Sequence, residues 1–256
     1  MTAANSAPDH PAIEVRQLTA GYGARVILRD LSFAVRRGEV FVILGGSGCG
    51  KSTLLKHLIG LIPPLAGTVR IHGQDFTAAA GDERDCILQH IGVLFQSGAL
   101  FGSMSLAENV FFPLTEHTAL PRAVQETLVE MKLRMVGLAD HAGQMPGQLS
   151  GGQQKRAGLA RAMALEPDIL FFDEPSAGLD PLTSAALDNL IVQLNRSLGI
   201  TIVVVTHELP SIFTIAHRVI MLDADTQGIL AEGDPRALRT HATDARVRRF
   251  LNRDAT

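Results

Sequence analysis

The sequence predicts an α/β fold: a parallel sheet covered by helices, preceded by a small antiparallel sheet and interrupted by a helical lobe. Three observations predict it. Continuous apolar runs at Phe41–Leu44, Ile169–Phe172 and Ile200–Val205 have the length of strands buried on both faces. The second and third are separated by a helical stretch, Pro181–Leu198, and such strand–helix–strand alternation means parallel pairing. Between about Ser97 and Arg161 strand-like runs vanish and helical spacing takes over.

Taken in order, residues 13–44 read as several short strands with turns at Gly21–Gly23 and Arg37–Gly38, the mark of a small antiparallel sheet. Val40–Leu44 is a buried strand, Gly45–Gly50 a glycine-rich turn, and Lys51–Leu61 has helical apolar spacing that Pro63–Pro64 stops. Strand, glycine loop and helix make half of a βαβ unit. Helical stretches follow at Ser105–Phe112, Pro121–Val136 and Gly152–Leu165. Val219–Leu222 with Gly228–Glu232 resembles a hairpin, and Arg246–Arg253 a short basic tail. The expected organisation is one domain, 13–245, with its core in 13–96 and 162–245, a helical subdomain in 97–161, and tails at 1–12 and 246–256.

Composition narrows the classes. The chain has 256 residues, 46% apolar and 19% charged, which excludes a disordered chain. No stretch approaches the roughly 18 uninterrupted apolar residues of a membrane-spanning helix, and Met1–Pro11 lacks the apolar segment of a secretory signal. Two cysteines, Cys49 and Cys86, are too few for a disulfide framework. A net charge of −3 supplies no field for nucleic acid, so no nucleic-acid partner is expected. Of 23 basic residues only four are lysines: Lys51, Lys56, Lys132 and Lys155.

Lys51 stands in Gly45-Gly46-Ser47-Gly48-Cys49-Gly50-Lys51-Ser52, which fits the phosphate-loop pattern G-x-x-x-x-G-K-[ST]. Glycines let successive N–H groups curl into one concavity where a polyphosphate replaces water. The helix that follows, opening with Ser52 and Thr53, adds its positive end. Lys51 would neutralise the β/γ oxygens, and the Ser52 hydroxyl is a hard oxygen ligand for Mg²⁺. Such a loop needs an acidic residue at the end of an apolar strand, and Ile169-Leu170-Phe171-Phe172-Asp173-Glu174 supplies it. Asp173 emerges at the carboxyl end, where ligands of parallel sheets bind, placed to hold Mg²⁺ through water. Glu174 can act as general base toward an attacking water, or alternatively cap a turn before Pro175.

Leu149-Ser150-Gly151-Gly152-Gln153 then opens a helix. Alone it would pass for a helix cap after a flexible turn. In this order with the phosphate loop and the Asp173–Glu174 strand end, it resembles the ATP-binding cassette (ABC) family from about Ile13 to Asp234. That resemblance implies a P-loop NTPase (RecA-like) core that binds ATP with Mg²⁺ and hydrolyses it. It implies that Tyr22, the single tyrosine, stacks on adenine, although Tyr22 also reads as a rim aromatic of the small sheet. Gln96 matches the lid glutamine that contacts Mg²⁺ and the attacking water. Ser176-Ala177-Gly178-Leu179-Asp180 matches a loop crossing between subunits, with Asp180 beside the partner's nucleotide. His207 matches the switch histidine that hydrogen-bonds the γ-phosphate; the other eight histidines match no motif. Because the chain carries one of each motif, the resemblance implies a head-to-tail dimer in which Ser150, Gly151, Gly152 and Gln153 of one copy close over ATP held by another.

The stretches Phe95–Phe101, Glu108-Asn109-Val110, Pro113–Thr118, Met131–Leu138 and Arg246–Leu251 are similar to the ATPase subunits of Mla-type phospholipid transporters. This implies an integral membrane permease docked on the helical lobe, Mce-domain and STAS-like subunits, and a peripheral position at the cytoplasmic face of the bacterial inner membrane. A polar amino-acid or metal importer cassette would share every ATP motif. Gln153 and Ala177-Gly178-Leu179-Asp180 have the general cassette form rather than the one frequent in the Mla group.

Overall fold

β1 (Ile13–Tyr22) and β2 (Arg25–Val35) pair antiparallel across a tight turn, and β3 (Val40–Gly45) then leaves them to start a second sheet. The computed structural model describes residues 10–253; most of the expected amino-terminal tail and the last three residues lie outside them. β4 (Ala66–Ile71) adds to the free edge of β1, and β5 (Gln74–Asp75) to β4, giving the order β2-β1-β4-β5. The several short strands expected over 13–44 are instead two long strands. Register shifts between Val15 and Gly21 bend the ribbon without breaking it, with Gln17 and Asp30 at positive φ.

The second sheet has the order β10-β9-β3-β8-β7-β6, from β6 (Ile91–Leu94), β7 (Ile169–Asp173), β8 (Thr201–Val205), β9 (Arg218–Asp223) and β10 (Gly228–Gly233). Its pairings are parallel except β9 with β10, the expected hairpin. Continuous apolar strands suit it because alternate side chains serve two cores. Val42, Leu44, Leu170, Phe172 and Val204 pack toward the helical lobe. Phe41, Ile43, Phe171, Val203 and Val205 pack toward the antiparallel sheet and α1 (Lys51–Leu58).

The remaining helices are α2 (Gly81–Gln89), α3 (Leu106–His117), α4 (Arg122–Met135), α5 (Gly151–Ala162), α6 (Pro181–Leu198), α7 (Leu209–Ile215), α8 (Pro235–His241) and α9 (Ala245–Asn252). α3 runs through Pro113, five residues beyond the expected end at Phe112, because Val110 and Leu114 are both buried against the core. A further correction concerns Arg246–Arg253. Residues 246–252 are helix, not tail, because Val247 and Leu251, one turn apart, are both buried in the core. The folded unit therefore continues past residue 245.

Candidate functional site

The loop from Gly45 to Gly50 is shaped by contacts that exclude side chains. At Gly45, φ is 150° and a Cβ would lie 2.5 Å from the Leu222 carbonyl oxygen and 2.6 Å from Cys49 Sγ. At Gly50, φ is 100° and a Cβ would press on Leu28 at 2.9 Å. Gly50 caps α1 without any side-chain partner for its first amides, so the helix end faces the cleft with N–H groups unclaimed by a capping side chain. Lys51 Nζ folds back over the loop and donates to the carbonyls of Gly45 and Gly46, each at 2.9 Å. An anion in the concavity would compete for that ammonium, since a charged acceptor binds it more strongly than a neutral carbonyl.

This loop is one wall of a cleft of about 620 Å³. Gly45, Gly46, Ser47, Gly48, Gly50, Lys51, Ser52 and Thr53 line it together with Gln96, Glu174 and His207, so residues from four separate parts of the sequence meet there. His207 follows β8, and its Nδ1 lies 2.9 Å from Glu174 Oε1. Glu174 follows β7 with φ of 45°, held by its N–H donating to Val205 O at 2.8 Å. The side chain of Glu174 is thereby aimed across the cleft instead of capping the turn before Pro175.

Asp173 Oδ1 and Glu174 Oε2 are buried oxygens without a hydrogen-bond partner. Burial, then the neighbouring Glu174 charge, pushes the Asp173 carboxyl above its ordinary range, while Lys56, Lys155 and Lys51 pull it down. The orphaned Asp173 oxygen, with the Ser52 hydroxyl and the Gln96 amide oxygen, offers a hard, oxygen-only donor set, which fits Mg²⁺.

Lys155 was notable in the sequence only for its rarity; the structure places it beneath the site. Almost fully buried in α5, its Nζ donates to the Gln96 carbonyl and to Glu174 O at 3.4 Å. Burial pulls its pKa down, opposed by Asp173 and Glu174. Arg161, one and a half turns on, donates to the carbonyls of Ala99 (2.7 Å) and Gly98 (3.3 Å). One helix thus fixes the whole segment from Gln96 to Ala99. Phe250 of α9 also reaches the cleft wall, a contribution that a reading of 246–256 as a tail could not foresee.

Other expected residues lie outside the cleft. Cys49 is buried behind it, its thiol pushed up by burial. Tyr22 sits half-exposed on the flank of α1, its hydroxyl accepting from Lys56 Nζ at 3.3 Å. Ser150 caps α5 through a reciprocal box: its Oγ accepts from Gln153 N at 3.3 Å, and Gln153 Oε1 from Ser150 N at 2.9 Å. The signature residues Ser150–Gln153 therefore form an outward-facing helix start in the same chain, away from Lys51. Asp180 caps α6, accepting from the N–H groups of Leu182 and Thr183 at 3.0 Å. Beside it Leu182 is 84% exposed, a large apolar side chain facing solvent.

Comparison with known proteins gives a consistent picture. Residues 28–177 match the family model described as ABC transporter. The chain is 43% identical over 241 residues to the "Intermembrane phospholipid transport system ATP-binding protein MlaF" of Escherichia coli K12, covering 94% of this chain and 88% of that protein. It is equally identical over 241 residues to the "Probable ribonucleotide transport ATP-binding protein mkl" of Mycobacterium leprae, covering 69% of that longer protein. Among solved structures, cbiO1 from Clostridium perfringens, part of the cbiONQ ABC transporter complex, superposes with a TM-score of 0.83 at 28% identity, covering 91% of this chain and 92% of that one. The dimeric cassette MJ0796, in a post-hydrolysis state bound to ADP and Pi, superposes with a TM-score of 0.78 at 31% identity, covering 87% and 98%.

Proposed function

The chain belongs to the ABC transporter family as an ATP-binding cassette, and from that premise we propose that it hydrolyses MgATP to energise phospholipid movement through a separate permease. The observation that carries the reading is the single cleft in which the phosphate loop, Gln96, Glu174 and His207 converge. The curled amides of Gly46–Gly50 and the start of α1 bind the β- and γ-phosphates, and Lys51 swings from its loop carbonyls onto their oxygens. Ser52 and Gln96, with Asp173 through a water, would hold Mg²⁺, which would neutralise phosphate charge. Glu174 accepts the proton of the water that attacks the γ-phosphorus, as the bond to the β-phosphate oxygen breaks. His207 holds Glu174 in place through Oε1, leaving Oε2 for the water. Tyr22 offers its ring to the adenine from the flank of α1.

Two copies are proposed to pair head to tail, so that Ser150–Gln153 and Asp180 of each complete the other's site. The outward helix start at Ser150, the bare Leu182 and the resemblance to a dimeric cassette support this. The permease is proposed to dock on the helical lobe. There a largely apolar cleft of about 350 Å³ lies between α3 and α4 around Phe111, Val129 and Leu133, and Phe101 and Phe112 are partly bare nearby. Mce-domain and STAS-like subunits, and a peripheral place at the cytoplasmic face of the inner membrane, follow from the MlaF-like reading. No described helix is long and apolar enough to cross a membrane.

The test is direct. Glu174→Gln should bind ATP, accumulate dimer and lose about 10²–10⁴-fold in turnover, the usual worth of a general base. Lys51→Ala should bind ATP roughly 10–100-fold more weakly, as loss of one charged hydrogen-bonding group implies. Full turnover by the first variant would remove Glu174 from the base role. Reconstitution with its permease in phospholipid vesicles then decides the cargo: ATP-dependent lipid movement supports the reading, and its absence alongside transport of a soluble solute refutes it.

A further inference from the structure

At the end of the parallel sheet remote from the phosphate cleft, three side chains from three distant segments converge. His90 immediately precedes β6 and Asp168 immediately precedes β7; these strands are parallel neighbours, with Ile91 opposite Ile169, so both residues lie on the amino-terminal edge of the sheet. His72 comes from the other sheet, in the turn between β4 and β5, at φ of 50°. Asp168 Oδ2 is 2.8 Å from His90 Nδ1 and 3.5 Å from His72 Nε2. The two imidazoles meet edge to face at 5.7 Å, and one donor atom from each of the three residues lies within 4.8 Å of the others.

We propose that His72, His90 and Asp168 form a site for a zinc-class divalent transition-metal ion, which staples the antiparallel sheet to the edge of the parallel one. Two imidazoles and a carboxylate are a donor set that suits zinc and its neighbours and is poor for Mg²⁺ or Ca²⁺, which take oxygen ligands. A hydrogen-bonded pair between His90 and Asp168 leaves His72 unexplained, because both its ring nitrogens are shielded from solvent without a hydrogen-bond partner. A cation shared with Asp168 would satisfy Nε2. Metal–ligand bonds of 2.0–2.1 Å place tetrahedral ligand atoms about 3.3 Å apart, near the 2.8 Å and 3.5 Å at which the imidazoles already stand from Asp168. His90 and Asp168 are each more than half exposed and free to make the adjustment. With His90 and Asp168 exposed, the ion could be reached from solvent, and a water would complete its fourth position.

Arg37, whose Nε donates to the His10 carbonyl at 3.2 Å, keeps its positive charge nearby and opposes the ion. Since the donors stand at the opposite edge of the sheet from Glu174, the ion would act on the joint between the two sheets and not on the reacting phosphate.

The experiment uses the full-length, untagged, chelator-treated protein, titrated with Zn²⁺ by calorimetry and with Co²⁺ by absorbance. One saturable equivalent per chain, a tetrahedral Co²⁺ spectrum and a raised unfolding midpoint are expected. Substituting a metal's outer partners costs 10–100-fold in affinity, so His90→Ala and Asp168→Asn, which alter ligands themselves at exposed positions, should weaken binding by at least about tenfold. Both variants should keep the metal-free unfolding midpoint near that of the parent. No saturable binding, or binding that survives both variants but is lost in His207→Ala, would overturn the proposal.

Discussion

Replacing Lys155 by methionine keeps the length of the side chain and removes its charge, in the middle of the helix that underlies the cleft. The ammonium donates to the carbonyls of Gln96 and Glu174 and lies near enough to Asp173 to pull its carboxyl toward ionisation. Loss of a charge-assisted hydrogen bond costs about 1.5–3 kcal/mol, and the second, longer contact adds little. Relief of the lysine's own burial offsets part of this, leaving a net cost of about 1–3 kcal/mol. For a chain this size each kcal/mol lowers the unfolding midpoint by roughly 2–4 °C, so a drop of roughly 2–12 °C is expected. The second readout separates a positioning role from a purely structural one. Without the nearby cation, the Asp173 carboxyl ionises at higher pH, so the acid limb of the ATPase pH profile should move upward. Calorimetry and a pH–rate series on Lys155→Met, with Lys155→Arg as the charge-preserving control, decide the matter. An unchanged midpoint together with an unmoved acid limb would refute the argument.

Two other perturbations test the framework. Gly92→Ala places a Cβ 2.2 Å from Ala162 O and 2.7 Å from Leu170 Cδ2; overpacking of this kind costs about 1–3 kcal/mol, and an unchanged melting profile would contradict the close approach of α5 to β6. Burial pushes the Glu39 carboxyl up, but Arg218 and the Arg36 N–H outweigh it and hold the group below the ordinary range. A carboxylate with a lowered folded pKa stabilises above its unfolded pKa and loses that contribution as pH falls through the folded one. Glu39→Gln should therefore cost roughly 1.5–3 kcal/mol at pH 7 and lose less than the parent between about pH 5 and 3; parallel pH–stability curves would count against the ion pair.

What could be read from the sequence was whatever lies close together along the chain. The glycines before Lys51, the apolar run ending in Asp173-Glu174 and the helix opening at Ser150 are local patterns tied to one element each. What could not be read depends on which elements the fold brings together. Lys155 carries no spacing signal that names Gln96 as its partner, 59 positions away. His72, His90 and Asp168 occupy three unrelated turns and meet only because β4 ends where β6 and β7 begin. The helix at Ala245–Asn252 rests on a single apolar pair among arginines, too little periodicity to separate it from a solvated end. The long β1 and β2 escaped because bulges at Gln17 and Asp30 mimic strand breaks in a pattern of alternation.

Ser150 and Lys155 ride the same rod, little more than one turn apart. A tilt that advances one necessarily drags the other, as the two arms of a seesaw move together. A push on the serine end would reach the carbonyls of Gln96 and Glu174 through the helix itself. Neighbouring copies that touch there would then consult each other before either fires.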